Sequence, residues 1–298
     1  MINDQISYPY RYVSKTSPEY PEALLPYCNM PSGIFVKGRL PSPGTSSVAI
    51  VGARKCTPYG LQSAKLFAKV LAQHGVNIIS GMAYGTDSHA HKGAIEGGGK
   101  TFAVLGCGID ICYPKSNVRL MKNILETSGG IISEYPPGTE PYPYHFPLRN
   151  RIISALSDAV IIIEARIKSG SLITASYAVD QGKTVFAVPG KITDSMSAGT
   201  NSLIMQGAIP ALSPDTVLYE LGLKHIKKEE HNSPLDDPSL SEPEKKILKA
   251  MLGRPLTIDD ICSSCHIDIA FASNILLNLE LNGFVFQPVP GLYSVSYS

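Results

Sequence analysis

Short apolar runs recur along the middle of the chain: SVAIVG (47–52), VNIISG (76–81), TFAVLG (101–106), AVIIIEA (159–165) and TVFAVPG (184–190). Between them lie segments with apolar residues at helical spacing, such as LQSAKLFAKVLAQHG (61–75), whose closing glycine is a common helix stop. A continuous Val/Ile run has no polar face, so a strand built from it must be covered on both sides. Strands of this kind alternating with amphipathic helices predict an α/β domain with a doubly wound, mostly parallel sheet. Residues 1–46 break the pattern with YPYRY, SPEYPEALLPY and LPSPG, and read as an irregular lead-in packed on that domain.

The pattern changes again near residue 224. KHIKKEEHNSPLDDPSLSEP (224–243) is charged and poor in apolar residues, which marks a linker over 224–240 between domains 1–223 and 241–298. EPEKKILKAML, LTIDDICSS and IAFASNILLNLELNGFVF then give three helical patterns, the last closing at Gly283. FVFQPV and LYSVS, joined at Pro290-Gly291, form a hairpin. Helices followed by a hairpin predict a small C-terminal winged helix-turn-helix.

Composition narrows the class. The chain has 298 residues, 44% hydrophobic and 17% charged, too apolar for disorder. No run approaches the ~20 apolar residues that span a bilayer. MINDQISYPYRYVSK has no secretory h-region, so a cytoplasmic protein without membrane partners is expected. Lys and Arg number 26 against 25 acidic residues, so any nucleic-acid site must be a local patch. The six cysteines read as reduced, structural thiols.

Ligands of open α/β sheets collect at the carboxyl ends of the strands, where helix N-termini offer N–H groups to anions. Four segments fall at such ends: Gly52-Ala53-Arg54, Gly81 through Asp87, Gly106 through Asp110, and Lys168 through Thr174. Any one of them is ordinary turn chemistry. Together, with cations at Arg54 and Lys168, they favour an anion-binding crevice. Three other signatures fail. The GxG at Gly106 has Ile111 where a dinucleotide fingerprint needs glycine. The Walker-like strings ending in Lys100-Thr101 and Lys183-Thr184 run helix into strand, the reverse of a P-loop. Cys262-Ser263-Ser264-Cys265-His266 matches a haem-attachment string, but in an unsecreted chain without a second CxxC neither haem nor zinc is expected. No cofactor or metal is therefore assigned. His89 and His91 are two apart and share no helix face, and Asp87 suits a helix cap.

Arg149 and Arg151 bracket Asn150 at a helix start, where the dipole disfavours cations. They suit internal ion pairs, with Glu134 or Glu164 as partners, or phosphate contact. Nearby Tyr135, Tyr142 and Tyr144 suit either core packing or base stacking.

Taken together, VAIVGAR (48–54), TPYG (57–60), SGMAYGTDSHAHKGA (80–94), AVLGCGIDICYPKSN (103–117), SEYPPGT (133–139), FPLRNRIISALS (146–157), EARIKSGSLITA (164–175), FAVPG (186–190) and GTNSLIMQGA (199–208) resemble the DNA-processing DprA (Smf) family over roughly residues 20–220. The C-terminal segment looks like the winged-helix domain many members carry. The resemblance implies a Rossmann-like core without catalytic activity that binds single-stranded DNA, and duplex more weakly. It also implies protection of incoming DNA during natural transformation, loading of the recombinase RecA, and a homodimer. Carried onto this chain, it makes Arg54 and Lys168 the main phosphate contacts. Ser169, Gly170, Ser171 and Asn201 would complete the crevice, with Gly52 and Gly81 at the strand ends and Arg149 and Arg151 as further DNA contacts.

Two departures stand out. Many members open with a SAM-like helical domain, for which the stretch ahead of residue 20 is too short. The third C-terminal helix, SNILLNLELNG, carries Asn274, Asn278 and Glu280 but no cation, which favours protein contact over DNA reading. The alternative function is a nucleoside-monophosphate phosphoribohydrolase of a related Rossmann-like fold. Its PGGxGTxxE signature is replaced here by KSGSLITA, without the glutamate.

Overall fold

The computed structural model describes residues 8–223, 240–252 and 254–295. The chain divides into two compact units, Met1–His225 and Ile226–Ser298. The expected linker lies outside the described residues except for Leu240, whose side chain is buried in the core of the second unit.

The first unit runs β1 (Tyr10–Ser14), β2 (Gly33–Gly38), β3 (Ser47–Val51), α1 (Pro58–Gln73), β4 (Asn77–Ser80), α2 (Thr86–Glu96), β5 (Thr101–Leu105), α3 (Val118–Glu126) and β6 (Gly130–Ser133). It continues through α4 (His145–Ala155), β7 (Ala159–Ile162), α5 (Gly170–Asp180), β8 (Thr184–Ala187), α6 (Ala198–Met205), β9 (Ile209–Pro210) and α7 (Pro214–Glu220). The sheet order is β1-β2-β6-β5-β4-β3-β7-β8-β9, parallel from β6 to β9. Strands β3 to β6 build outward in one direction and β7 to β9 in the other. The topological switch point therefore lies between β3 and β7, with Val51 level with Ile162.

Alternation along each strand supplies a core on either face. Val48, Ile50, Ile78, Ile161 and Phe186 pack beneath Ala64, Phe67, Ala68 and Leu71 of α1. Ala49, Val51, Ile79, Val160 and Ile162 pack with Ile152 and Ile153 of α4 and Ala175 and Ala178 of α5. Thr57 caps α1 by accepting from the Gly60 N–H, and Pro58 pre-sets its first turn. The lead-in is more regular than its composition suggests. β1 and β2 add antiparallel strands to the β6 edge, with Tyr12 opposite Phe35 and Phe35 opposite Ser133.

The second unit contains α8 (Glu242–Ala250), β10 (Leu256–Thr257), α9 (Ile258–Cys265), α10 (Ile269–Leu281), β11 (Val285–Val289) and β12 (Leu292–Val295). Its sheet order is β10-β12-β11, and Ile247, Leu248, Ile261, Leu276, Leu279, Val285 and Val295 share one core. Ser241 with Glu244 and Thr257 with Asp260 form capping boxes. Cys265 is one of the core side chains, which gives the CxxCH string a packing explanation.

Candidate functional site

The switch point opens into a cleft of about 340 Å³ at the carboxyl ends of β3 and β7. One wall is the turn after β3. Ala53 N–H donates to the Glu164 carbonyl (2.8 Å), and the Ala53 carbonyl accepts from Thr86 N–H (3.3 Å) and Thr86 Oγ1 (3.2 Å). The turn is thereby tied both to the strand across the switch point and to the start of α2. A side chain at Gly52 would put Cβ 2.6 Å from Thr86 Oγ1, so the close approach requires glycine. The Glu164 carboxylate is buried and accepts from Thr57 N–H (2.8 Å) and Thr57 Oγ1 (2.6 Å) at the start of α1. It is therefore not the partner of an arginine.

Arg54 projects from this turn into the cleft mouth, exposed, with its guanidinium 5.1 Å from the Phe146 ring centroid. Across the cleft stands the first turn of α5. Ser169 is its N-cap, accepting from Ser171 N–H, with the two hydroxyls 2.7 Å apart. A Cβ at Gly170 would meet no atom within 4 Å, so the backbone here is open to approach. Asn150 of α4 donates to the Gly170 carbonyl (3.3 Å) and ties α5 to the cleft floor. Lys168 is exposed one residue ahead of the cap.

Arg149 lines the same cleft but is only 3% exposed. Its guanidinium donates to the carbonyls of Gly81 (2.8 Å) and Val104, closing the ends of β4 and β5. Burial lowers its pKa to about 10, with Asp87 opposing the shift, so it remains a cation at neutral pH. Asp87 does not cap α2. Its carboxylate accepts from the N–H groups of Gly81 (3.2 Å) and Ala83 (3.3 Å) and shapes the loop before the helix. Burial pushes that carboxyl up, and the Arg149 guanidinium holds the rise back.

Two other expected contacts are committed elsewhere. Arg151 pairs with Glu134 at 2.6 Å, bracing α4 against the end of β6, and stands outside the cleft lining. Asn201 donates to the Gly190 carbonyl (3.0 Å) and accepts from Gly190 N–H (3.2 Å), clamping the turn after β8. Thr174, the last residue of the 168–174 segment, and Asn150, between the two arginines, also line the cleft, as does Phe146, which was not named as a contact from the sequence. The signal for Phe146 was its place beside Pro147 at a helix start bordering two strand ends. At the rim, Tyr142 and Tyr144 are 49% and 61% exposed and stack at 5.8 Å, while Tyr135 stacks on buried His145 at 3.9 Å. Tyr142 and Tyr144 are thus surface rings, and Tyr135 is half-buried.

A doubly wound, Rossmann-like sheet with a cationic cleft at its strand ends, joined in sequence to a winged helix, places the chain among α/β proteins of the open-sheet class. The chain belongs to the DNA recombination-mediator protein A family, whose pattern matches residues 11–222, and the DprA winged helix domain matches residues 231–291. It is 39% identical over 281 residues to Protein Smf of Escherichia coli, covering 92% of this chain and 74% of that protein. It is 43% identical over 201 residues to the DNA processing protein DprA of Streptococcus pneumoniae, covering 67% and 71%. The X-ray structure of the S. pneumoniae protein superposes with a TM-score of 0.66 at 40% identity, covering 72% of this chain and 75% of that one. DNA processing protein A of Helicobacter pylori, studied for its single-stranded DNA binding mode, gives 0.64 at 31% identity, covering 73% and 97%. Among the described residues, no helix is long and apolar enough to cross a membrane.

Proposed function

We propose that the switch-point cleft binds the backbone of single-stranded DNA, and that the protein protects the strand and loads RecA on it during natural transformation. The observation that carries the reading is the position of Arg54. It is an exposed cation seated on an aromatic ring, opposite the open first turn of α5. A phosphate between them meets the guanidinium, the Ser169 and Ser171 hydroxyls and the helix dipole, while the adjacent base stacks near Phe146. Exposed Lys168, one residue ahead of the cap and outside the cleft lining, is a second cation within reach of a strand leaving the cleft, and buried Arg149 contributes charge from the floor. Arg151 and Asn201 act as braces in this reading, because their polar groups are already paired.

A single strand suits the cleft better than a mononucleotide substrate. Asp87 is the only carboxylate among its described lining residues, and it already holds two backbone N–H groups. A base-releasing hydrolase would need that carboxylate free. Pairing with a second copy is supported at the β9 edge, where Met205 and Leu212, before and after the strand, are 90% and 77% exposed. The test is anisotropy of labelled oligothymidine, titrated at several salt concentrations against an equal-length duplex competitor. Salt-sensitive binding that prefers the single strand and collapses in Arg54→Ala is expected. Binding indifferent to Arg54→Ala, or base release from nucleoside monophosphates, would overturn the reading.

A further inference from the structure

The winged-helix unit keeps its cations away from the helix that would read DNA. The sequence of α10 contains no Lys or Arg, and its outward residues Asn274, Leu277, Asn278 and Leu281 are neutral. The lysines sit on α8 instead. Lys245, Lys246 and Lys249 border a groove of about 610 Å³ between α8 and the first turn of α10. Its floor is aliphatic and aromatic: Pro243, Ile247, Ile267 and Phe271, with Phe271 46% exposed.

Lys246 Nζ donates to the Cys265 carbonyl (2.8 Å), which fixes that side chain between α8 and the end of α9. Among the described residues, neither Lys245 nor Lys249 has a carboxylate within ion-pair distance. They lie four apart and so share one face of α8. Glu242 is the single acidic residue among the described groove residues, leaving a net positive rim.

We propose that this groove docks an acidic peptide segment of a partner protein, with one aromatic or branched apolar side chain as its anchor. The anchor lies between Ile247, Ile267 and Phe271, and the flanking carboxylates face Lys245 and Lys249. Charge complementarity selects the acidic flanks. The concave apolar floor selects the anchor, since a large side chain buried in such a pocket carries most of the binding energy of a small interface. A nucleobase fits less well. Its edge groups would be desolvated against Pro, Ile and Phe side chains with nothing to pair them.

The test is a display selection of random twelve-residue peptides on the full-length chain. It is run in parallel on the Lys245→Glu/Lys249→Glu double variant and on Phe271→Ser. A Lys245→Gln/Lys249→Gln variant, milder at these positions, guards against loss of fold, which is monitored by thermal melting. Enrichment of peptides with two or more acidic residues beside an aromatic or branched anchor is expected. Synthetic labelled copies should bind with rising salt weakening them, lose at least tenfold in each variant, and leave oligothymidine affinity unchanged. A selected pool without acidic residues, or peptides that bind the variants as well as the parent, would overturn the proposal. So would a charge-reversed chain that loses oligothymidine binding while no acidic peptide binds the parent, which assigns the groove to nucleic acid.

Discussion

The guanidinium of Arg54 rests 5.1 Å from the Phe146 ring centroid, joining the turn after β3 to the start of α4. An exposed cation–π contact contributes only about 0.5–1 kcal/mol. Its larger effect is to hold a long, flexible side chain in one orientation before a ligand arrives. The two residues should then fail differently. Arg54→Ala removes a phosphate contact, so oligothymidine affinity should fall and the slope of log K against log salt should flatten by about 0.7. Phe146→Leu removes the ring that orients Arg54, a contact worth about 0.5–1 kcal/mol, so affinity should fall modestly with the slope unchanged. Anisotropy titrations at four salt concentrations separate the two, and a matching change of slope in both variants would refute the division of labour.

Arg151→Ala should show the converse. The Arg151–Glu134 pair is short, and its side chains are 13% and 12% exposed, so truncation strands a carboxylate with little water to solvate it. The cost lies between the surface and buried limits, about 1–3 kcal/mol. Thermal melting should report a fall of several degrees, while oligothymidine affinity per folded molecule stays at the parent value. A folded Arg151→Ala protein that binds tenfold more weakly would return this arginine to the DNA contacts.

Acid should destabilise the first unit through His91. Its imidazole is fully buried on α2, donating Nδ1–H to Thr101 Oγ1 (2.6 Å), because that hydroxyl already donates to the Ile78 carbonyl. Burial, aided by Arg149, lowers its pKa to about 3 from the usual 6.5. The folded state therefore refuses a proton that the unfolded chain accepts. The contribution is fully present above pH ~6.5 and is lost as pH falls toward 3, amounting to about 4–5 kcal/mol across that window. Asp87 works in the opposite sense, since its raised carboxyl favours the folded state at low pH and that benefit fades as pH rises. Urea melts at pH 7.5, 6, 5 and 4 should show a steep loss in the parent and a flatter one in His91→Asn. Parallel curves would remove His91 from the acid response.

Strands β3, β4, β5, β7 and β8 were legible because uninterrupted Val/Ile runs have no other stable location in a globular domain. β6 was passed over, since Gly130 through Ser133 is only four residues and its pairing supplies the rest. β1 and β2 were hidden by prolines and tyrosines, although Tyr10, Tyr12 and the opposed Phe35 carry a readable period of two. The site divides similarly. Arg54 and the Ser169–Ser171 turn were legible because strand ends and helix starts are local features. For Arg149 and Arg151 the sequence left the choice between ligand and brace open, with Glu134 among the named partners, and Asn201 was expected on the ligand, because that choice depends on groups distant in sequence. Here the partners are Gly81, Val104, Glu134 and Gly190.

Glycine substitutions can test where the phosphate lies without removing any charge. Gly170 opens α5, and a Cβ there meets nothing within 4 Å. Alanine is the better helix former, so Gly170→Ala should leave stability within ~0.5 kcal/mol or raise it. A methyl group at that position nevertheless stands where a phosphate must come to reach the Gly170 N–H and the Ser169 and Ser171 hydroxyls. Affinity for oligothymidine should fall several-fold with the melting temperature preserved. Gly85 is the control. It sits at φ 72°, and a Cβ would lie 2.5 Å from the Arg54 carbonyl oxygen, so Gly85→Ala should lower both stability and binding by displacing the Arg54 turn. If Gly170→Ala binds like the parent while Gly85→Ala is weakened, the phosphate approaches through Arg54 alone and the α5 turn is only a wall of the cleft.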